Sequence, residues 1–357
     1  MYDVVIIGLG PAGANLARLL NKNLKIAAID KKTETIEGFH KPCGGLLADD
    51  AQKILACFQL NLPKDILVDP QIFSVKTIDT DTKLIRSYQR FYVNLDRHKF
   101  DLWLISLIEK NVDIFKNSVC KKIQKIGSKY SITFYCDGKE KTIQTKYLVG
   151  ADGANSLVRN TFYSKKKCRS YVCIQQWFQE KNPVPFYSCI FDKKNTDCYS
   201  WAISKDGYFI FGGAYPHKYC RKRFENQKQK MKQFGFQFGE VLKTEACMVL
   251  RPKHMYDFCM GKENMFLIGE AAGFVSPSSL EGISSALKSS FYLSKVLNSG
   301  CKNPNKEYEK LTFKIRLQLF LKVLKCPFLF YPPFRKLVMK SRIKSIEIKK
   351  NIKNGIQ

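Results

Sequence analysis

A chain of 357 residues, 45% of them hydrophobic, can bury a full core as two domains or as one domain with a large insertion. Sixty Lys and Arg against 31 Asp and Glu give a net charge of +29, which indicates either attraction to an anionic surface or many solvated lysines. The 13 cysteines form no C-x-x-C pair and their number is odd, so they predict neither a metal site nor a secreted disulfide framework. The sequence has no zinc-finger spacing or RNA-recognition signature, so we expect no nucleic-acid partner.

The chain opens on a short β-branched apolar run, residues 4–7, typical of a parallel strand that is buried on both faces. It is followed by the pattern G-x-G-x-x-G, at Gly8, Gly10 and Gly13. Such glycines permit a tight turn, close approach of the backbone to a pyrophosphate, and close packing of a helix on the strand. The helical pattern begins at Pro11 and Ala12, where free N–H groups and a positive dipole end favour phosphates.

A second apolar strand over residues 25–29 ends at Asp30, next to Lys31. A carboxylate about twenty residues after the glycines is suited to accept hydrogen bonds from a ribose. The opening stretch therefore predicts a βαβ unit that binds a dinucleotide. A glycine-bearing turn without a ligand is the alternative.

A second glycine-bearing loop follows further along the chain, at Pro42, Cys43, Gly44 and Gly45. Two adjacent glycines allow the backbone to lie flat against a ligand. The Cys43 thiol has two interpretations, a buried group that packs beside the ligand or a functional thiol that protonates or positions an intermediate. Helical patterns follow over residues 47–58 and 96–110, the second with Arg97 near its start.

Two later strands also end in turns with acids and glycines. Residues 147–150 precede Asp152 and Gly153, and residues 265–268 precede a turn that starts at Gly269. Open α/β sheets bind ligands at the carboxyl ends of their strands, although an Asp and a Gly can equally be a helix cap and a turn. A long helical pattern begins near Ile283.

Residues 170–250 differ in character from the rest. Aromatic runs over residues 186–191, 198–203 and 208–215 predict antiparallel strands, and a basic helical pattern follows. The last fifty or so residues are basic and amphipathic, and they either dock on a lipid surface or pack on the core. The residues expected to pack in the second case are Phe313, Leu317, Phe320, Leu321 and Leu324.

These motifs occur in the order seen in FAD-dependent oxidoreductases of the para-hydroxybenzoate hydroxylase type, which the chain resembles. Within that group, Lys-Pro-Cys-Gly-Gly at residues 41–45 followed by a helix resembles the geranylgeranyl reductase family, and the chain is most similar to the CbrA-like FAD-binding proteins. The resemblance implies FAD as cofactor. It implies an α/β fold with a Rossmann-like FAD-binding domain whose parallel sheet is discontinuous in sequence, an antiparallel-sheet substrate domain, and a helical C-terminus.

The domain bounds predicted on this basis are residues 1–70, 95–165 and 255–305 for FAD binding, 71–94 and 166–254 for the substrate domain, and 306–357 for the basic C-terminal segment. The resemblance implies cofactor contacts from Gly8, Gly10, Pro11, Ala12, Gly13, Asp30, Lys31, Pro42, Arg97, Val119, Asp152, Gly153, Gly269, Glu270, Gly273, Gly282 and Ile283. Relatives usually have Asp at the position of Glu270, so here the carboxylate extends by one methylene. Catalytic roles are implied for Cys43, Gly44 and Gly45, substrate contacts for Tyr199, Trp201 and Tyr215, and no metal site.

The activity implied by the resemblance is reduction of C=C bonds in an isoprenoid or lipid-like apolar substrate, with hydride from flavin N5 and a proton from a nearby donor or water. The electron donor would be external, either NAD(P)H or a ferredoxin-like protein. Two alternatives stay open: an aromatic-type FAD monooxygenase that uses NAD(P)H, and an FAD-binding stress or redox protein without turnover.

The expected location is cytoplasmic, because no signal peptide precedes the first strand and no apolar run is long enough to span a bilayer. The basic, amphipathic C-terminal segment makes a peripheral position at the inner face of the membrane, against anionic lipids, a further expectation.

Overall fold

The computed structural model describes residues 1–33, 40–164, 168–180 and 183–347. The strands are β1 (Tyr2–Ile7), β2 (Ile26–Ile29), β3 (Leu46–Leu47), β4 (Ile72–Asp79), β5 (Leu84–Asn94), β6 (Val112–Phe115), β7 (Ser118–Ile126), β8 (Lys129–Cys136), β9 (Lys139–Gly150), β10 (Ser170–Gln179), β11 (Phe186–Phe191), β12 (Ser200–Lys205), β13 (Tyr208–Tyr215), β14 (Lys243–Leu250), β15 (Gly261–Lys262), β16 (Met265–Leu267) and β17 (Ser345–Ile346). The α-helices are α1 (Pro11–Leu19), α2 (Asp49–Cys57), α3 (Arg97–Ser106), α4 (Leu157–Phe162), α5 (Cys220–Met231), α6 (Ile283–Asn298), α7 (Pro304–Leu311), α8 (Phe313–Val323), α9 (Cys326–Phe330) and α10 (Pro332–Lys340). Short 3-10 helices cover Lys64–Ile66, Lys232–Phe234, Met255–Asp257 and Gly269–Ala272.

The first sheet has the strand order β15-β16-β9-β1-β2-β6, with β8 paired to β9 and β7 to β8. The pairs β1–β2, β1–β9, β2–β6 and β16–β9 are parallel. Both faces of β1 are covered: Val4 and Ile6 pack with α1 and α6, while Val5 and Ile7 pack with residues of β8 and α8. This burial on two sides explains why the strand is continuously apolar. The parallel pairing also brings the carboxyl ends of five strands to one edge.

The second sheet has the order β14-β10-β13-β12-β11-β4-β5-β17, and β3 pairs with β5. One face packs on α5 through a cluster that includes Phe211 and Phe224. The other face packs through Tyr171 and Trp201 against Val275, which belongs to the stretch after β16. The second sheet thus presents one face to the loops that follow the strands of the first.

The expected α/β class, with a parallel sheet, a second and mainly antiparallel sheet and a helical C-terminus, is confirmed. Two short strands fall elsewhere than their predicted domains: β3 and β17 both pair with β5 of the second sheet. The predicted boundary at 165–166 and the end of the C-terminal segment, 348–357, lie outside the described residues.

The C-terminal helices pack through a different face of α8 than the sequence pattern indicated. Ile315 and Leu319 are the buried residues of α8, whereas Phe313, Leu317 and Leu321 are exposed. The prediction that these exposed residues pack on the core is therefore wrong. No helix in the described ranges is both long and apolar enough to cross a bilayer.

Candidate functional site

The site lies at the edge of the first sheet where the parallel strands β1, β2, β9 and β16 end. Each of these strands is followed by one of the predicted turns, containing in chain order Gly8, Asp30, Asp152 and Gly269. Loops at the carboxyl ends of neighbouring parallel strands form the ligand crevice of open α/β sheets. The tertiary structure therefore brings together four segments, of which the first and last, at Gly8 and Gly269, are 261 residues apart in the chain.

The first turn requires glycine at two positions. Gly8 has φ +95°, and a Cβ atom there would lie 2.7 Å from the Ala151 carbonyl oxygen. A Cβ atom at Gly13 would lie 1.9 Å from the Gly8 carbonyl oxygen. Gly10 caps α1 without a side-chain hydrogen bond, and open space surrounds its Cα. The N–H groups of the first turn of α1, which begins at Pro11, are consequently available to a phosphate.

Asp30 is buried beside this turn. Its Oδ2 accepts a hydrogen bond from the Leu9 N–H, and its Oδ1 accepts from the Lys32 N–H at 2.7 Å. A carboxylate offers about four acceptor positions, so capacity for ribose hydroxyls remains. The buried cation here is Lys32, whose Nζ lies 3.5 Å from Asp30, whereas the predicted contact Lys31 is exposed.

Val119, the expected neighbour of the adenine, is an exposed residue near the start of β7. The preceding Ser118 donates its N–H to the Asp30 carbonyl oxygen at 2.9 Å. The backbone at Val119 therefore lies close to Asp30, although the two are separated by almost ninety residues in the chain.

Asp152 combines the two roles that its sequence context left open. Its Oδ2 accepts the Leu157 N–H at 2.7 Å at the start of α4. Its Oδ1 is buried and has no hydrogen-bond partner among the described residues, and burial raises the pKa of this carboxyl. Buried polar atoms are rarely left without a partner, so the free Oδ1 fits a donor supplied by a ligand. Gly153, with φ +76°, turns the chain after it.

The turn after β16 packs directly on the first glycine turn. A Cβ atom at Gly269 would lie 2.9 Å from the Ala12 side chain, and one at Gly273 would lie 2.9 Å from the Asp257 carbonyl oxygen. Both glycines have positive φ, +56° and +83°. These close approaches explain why the turn has glycine at its two ends.

Glu270, in this turn, binds to two segments outside the first sheet. Its Oε2 forms an ion pair with Lys41, and its Oε1 accepts the Leu250 N–H of β14 at 3.0 Å. Burial alone would lower the pKa of Lys41, but the Glu270 carboxylate raises it overall. The extra methylene of Glu270 thus brings its carboxylate to the loop before Pro42 and to the second sheet.

Cys43 lies between Arg97 and the two glycines that follow it. The Arg97 guanidinium hydrogen-bonds the thiol and donates to Asp101 Oδ1 at 2.9 Å, and these partners raise the pKa of Arg97 although burial opposes them. The Gly45 N–H donates to Cys43 Sγ at 3.4 Å. Gly45 has φ +62°, and a Cβ atom there would lie 2.3 Å from the Leu95 carbonyl oxygen, while Gly44 has open space around it.

Lys205 lies beneath this loop and was missed from the sequence. Its Nζ donates to Asn94 Oδ1 at 2.6 Å and to the Leu95 carbonyl oxygen at 2.7 Å. Burial lowers the pKa of Lys205 to about 8. Because Lys205 ends an otherwise ordinary strand, nothing in its local pattern indicated a buried amine.

The aromatic strands place Tyr199 and Trp201 on the face of the second sheet that packs against the loops after the strands of the first sheet. The Tyr199 hydroxyl donates to the Ser279 carbonyl oxygen, and the two rings lie 6.0 Å apart. The indole N–H of Trp201 is buried and has no partner among the described residues. Tyr215, for which the sequence also predicts a substrate contact, instead packs on the opposite face of the sheet against Phe224.

A half-buried acid next to the start of α6 was also missed from the sequence. Tyr92 donates its hydroxyl hydrogen to Glu281 Oε1 at 3.0 Å, and Ser279 Oγ donates to Oε2 at 2.9 Å. Burial raises the pKa of Glu281. Gly282 and Ile283 follow directly, and the N-terminus of α6 has no side-chain cap within the described part of the chain. The local sequence did not indicate a functional role for Glu281, because its partner Tyr92 is 189 residues away in the chain.

Comparison with known proteins identifies the family. A model described as "FAD binding domain" matches residues 122–306. Protein CbrA of Escherichia coli strain K12 is 54% identical over 346 residues, which span 97% of this chain and 98% of that protein. The chain belongs to the CbrA family. Protein CbrA of Shigella sonnei strain Ss046 gives the same identity and the same coverage.

Solved structures show the same fold as this CbrA family member. A geranylgeranyl bacteriochlorophyll reductase-like protein from Thermoplasma acidophilum has a TM-score of 0.76 at 17% identity, covering 95% of this chain and 98% of its own. HpxO of Klebsiella pneumoniae, complexed with FAD, has a TM-score of 0.66 at 12% identity over 96% of this chain and 94% of its own. The p-nitrophenol 4-monooxygenase PnpA of Pseudomonas putida has a TM-score of 0.65 at 12% identity, covering 98% of this chain and 99% of its own.

FAD is the cofactor of this CbrA family member, as expected, and the chain has the fold of FAD-dependent oxidoreductases. The residues present fit the cofactor: the open N-terminus of α1 suits the pyrophosphate, Asp30 suits the ribose, and the partnerless Asp152 Oδ1 suits a ligand donor. When bound, FAD supplies hydride and electron transfer. The chain itself would bind and orient the cofactor.

Proposed function

We propose that this protein reduces C=C bonds of an isoprenoid or similar lipid-like substrate. The observation that carries the proposal is the aromatic face of the second sheet, where Tyr199, Trp201 and Tyr187 lie opposite the loops of the cofactor site. Aromatic side chains give a large apolar contact area with a few polar handles, as an elongated apolar substrate requires. The likeness to the Thermoplasma reductase-like protein supports the same fold and no more.

The Tyr92–Glu281 pair is the proposed proton source. Reduction of an alkene requires a hydride at one carbon and a proton at the other. Burial favours the protonated form of Glu281, and the Tyr92 hydroxyl is within hydrogen-bond distance of it. The pair also adjoins Ser279, which holds Tyr199 of the aromatic face. In this scheme the aromatic residues orient the substrate and Glu281 supplies the proton.

The proposal also assigns the C-terminal helices to a lipid surface. We define the C-terminal apolar surface by its exposed residues Phe313, Leu317, Leu321, Leu324, Phe328, Tyr331, Phe334, Leu337, Val338 and Ile343. Residues 311–346 contain no Asp or Glu, and exposed cations accompany the apolar side chains at Lys314, Lys325, Lys336, Lys340, Arg342 and Lys344. Apolar side chains within a basic surface are complementary to an anionic membrane.

The deciding experiment is an anaerobic assay of the FAD-loaded protein with a geranylgeranyl lipid and dithionite as reductant. Mass spectrometry is expected to find products heavier by two hydrogens per reduced bond. Trp201→Ala should lower turnover, while Tyr215→Phe, on the opposite face, should retain it. Unchanged lipid in the presence of fully reduced flavin would contradict the proposal.

The same preparation distinguishes the two alternatives and the electron donor. Rapid flavin reduction by NADPH that accelerates on addition of an aromatic compound would favour a monooxygenase. Flavin reduction only by a low-potential donor such as reduced ferredoxin would favour the reductase. A flavin that no donor reduces would favour a protein without turnover.

A further inference from the structure

Cys173 and Cys247 lie directly opposite each other on neighbouring strands of the second sheet. They are register partners in the antiparallel pair β10–β14. Directly opposed residues in such a ladder have Cα atoms about 4.5 or about 5.5 Å apart. Both values fall within the range of about 4.4–6.8 Å that disulfides span, so an S–S bond needs no rearrangement of the strands.

The pair lies where the aromatic face of the second sheet meets the loop of residues 41–45. Cys173 packs with the cluster around Tyr171 and Trp201, and the Cys247 thiol donates to the Pro42 carbonyl oxygen at 3.5 Å. Both are free thiols of intermediate exposure. A small oxidant can therefore reach them, unlike fully buried Cys136, Cys198 and Cys259.

The two thiols have different surroundings. The hydrogen bond from Cys173, together with the cations Lys41 and Arg97, lowers the pKa of Cys247 although burial and Glu270 oppose this. The same hydrogen bond, with burial, raises the pKa of Cys173 well above its ordinary value. Thiolates react and thiols do not, so Cys247 is the more nucleophilic of the two and Cys173 is its proton-bearing neighbour.

We propose that Cys173 and Cys247 form a redox-active dithiol that a hydroperoxide converts to a disulfide. The Cys247 thiolate attacks one peroxide oxygen and the O–O bond breaks, which yields a sulfenic acid on Cys247 and, from hydrogen peroxide, one water. Cys173 sulfur then attacks Cys247 sulfur, the S–S bond forms, and the hydroxyl leaves as a second water. Two thiols lose two electrons and two protons, and one peroxide is reduced.

Oxidation would act on the loop of residues 41–45, which carries Lys41 and Cys43. The S–S bond removes the hydrogen bond that the Cys247 thiol donates to the Pro42 carbonyl oxygen, and it leaves Cys247 unable to form a thiolate beside Lys41. Lys41 is the partner of Glu270 in the turn after β16. The site couples the oxidation state of two thiols to the loop that begins at Pro42, independently of which substrate the enzyme reduces.

The test uses the full-length FAD-loaded protein with one equivalent of hydrogen peroxide, followed by alkylation and peptide mass spectrometry. We expect a Cys173–Cys247 linked peptide, reversed by dithiothreitol, to form at least tenfold faster than oxidation of exposed Cys57. In Cys173→Ser, dimedone should label Cys247, whereas in Cys247→Ser, Cys173 should stay unlabelled.

Peptide mass spectrometry of the oxidised wild-type protein tests the proposal even if a variant does not fold. Both thiols remaining alkylatable while Cys57 oxidises, or a disulfide from Cys247 to Cys43 instead, would overturn it. Equal dimedone labelling of the remaining cysteine in both variants would also overturn it, because the roles of attacking and resolving thiol would then be absent.

Discussion

Lys41 forms an ion pair with Glu270 across 229 residues of sequence. The two residues belong to the loop before Cys43 and to the turn after β16, and Glu270 also holds the Leu250 N–H of the second sheet. The loop before Cys43, the turn after β16 and the second sheet thus meet at one carboxylate. The side chain of Glu270 is 11% exposed and that of Lys41 is 32% exposed, so the pair is only partly screened by solvent.

Lys41→Met should therefore destabilise the protein and weaken FAD binding. It leaves a largely buried carboxylate without its cation, at a cost of about 1–3 kcal/mol after allowance for the exposure of Lys41. Urea unfolding and FAD titration by fluorescence measure the two effects. The control is Lys53→Met, whose pair with Asp49 is 72% and 67% exposed and should contribute little to stability because solvent screens it. Equal effects of the two substitutions would contradict this prediction.

Gly13→Ala should abolish stoichiometric FAD binding, or weaken it at least tenfold. The added methyl group would lie 1.9 Å from the Gly8 carbonyl oxygen, so the glycine turn must open to accept it. The ratio of absorbance at the flavin band to that of protein, measured on purified variants, reports the loss. Gly239→Ala is the matched control, since nothing lies within 4 Å of its added atom. Full flavin occupancy of Gly13→Ala would refute the role assigned to the turn.

Glu281 should make stability depend on pH. Its folded-state pKa is raised by burial, so between the ordinary value near 4.5 and the raised value the folded state binds more protons than the unfolded state. Stability contributed by this group is present at low pH and is lost as pH rises through that window. Glu281→Gln should remove the loss, which thermal unfolding at pH 5 and pH 8 measures. A variant with the pH dependence of the wild type would show that Glu281 is not the responsible group.

Lys205 should make the stability of the protein change with pH in the opposite direction to Glu281. Burial lowers its pKa to about 8 from 10.5, so the unfolded state binds more protons between these values and stability rises with pH across them. The gain amounts to about 3 kcal/mol by order of magnitude. Lys205→Met should remove this rise in urea unfolding followed from pH 7.5 to pH 10. Lys53→Met, an exposed control, should keep it, and loss of the rise in both variants would count against the assignment.

Anionic liposomes should bind the protein through the C-terminal apolar surface. We expect flotation with vesicles of phosphatidylcholine and phosphatidylglycerol, weaker binding to phosphatidylcholine alone, and release at high salt because the lysines are screened. Phe328→Glu should reduce binding, while Phe73→Glu, which places the same charge at an exposed phenylalanine of β4, should not. Equal flotation of these variants would remove the surface from consideration.

Features confined to a short stretch of chain were predictable from the sequence. Gly8 to Gly13, the apolar strand before them and Asp30 follow from local rules of strand, turn and helix, because each role depends on neighbours within about twenty residues. The order of such stretches carries the family resemblance, and the resemblance implies the cofactor and the fold class. The paired segments Asp152–Gly153 and Gly269–Gly273 belong to the same group, since each directly follows its own strand.

Only the tertiary structure decided which side chains meet. The register of β10 on β14 places Cys173 opposite Cys247, and alternation along β12 and β13 puts Trp201 on the cofactor side but Tyr215 against α5. Glu281 and Lys205 acquire shifted pKa values only because distant segments bury them. Sequence patterns specify local backbone and polarity, whereas pairing, burial and electrostatic environment arise from contacts between residues far apart in the chain.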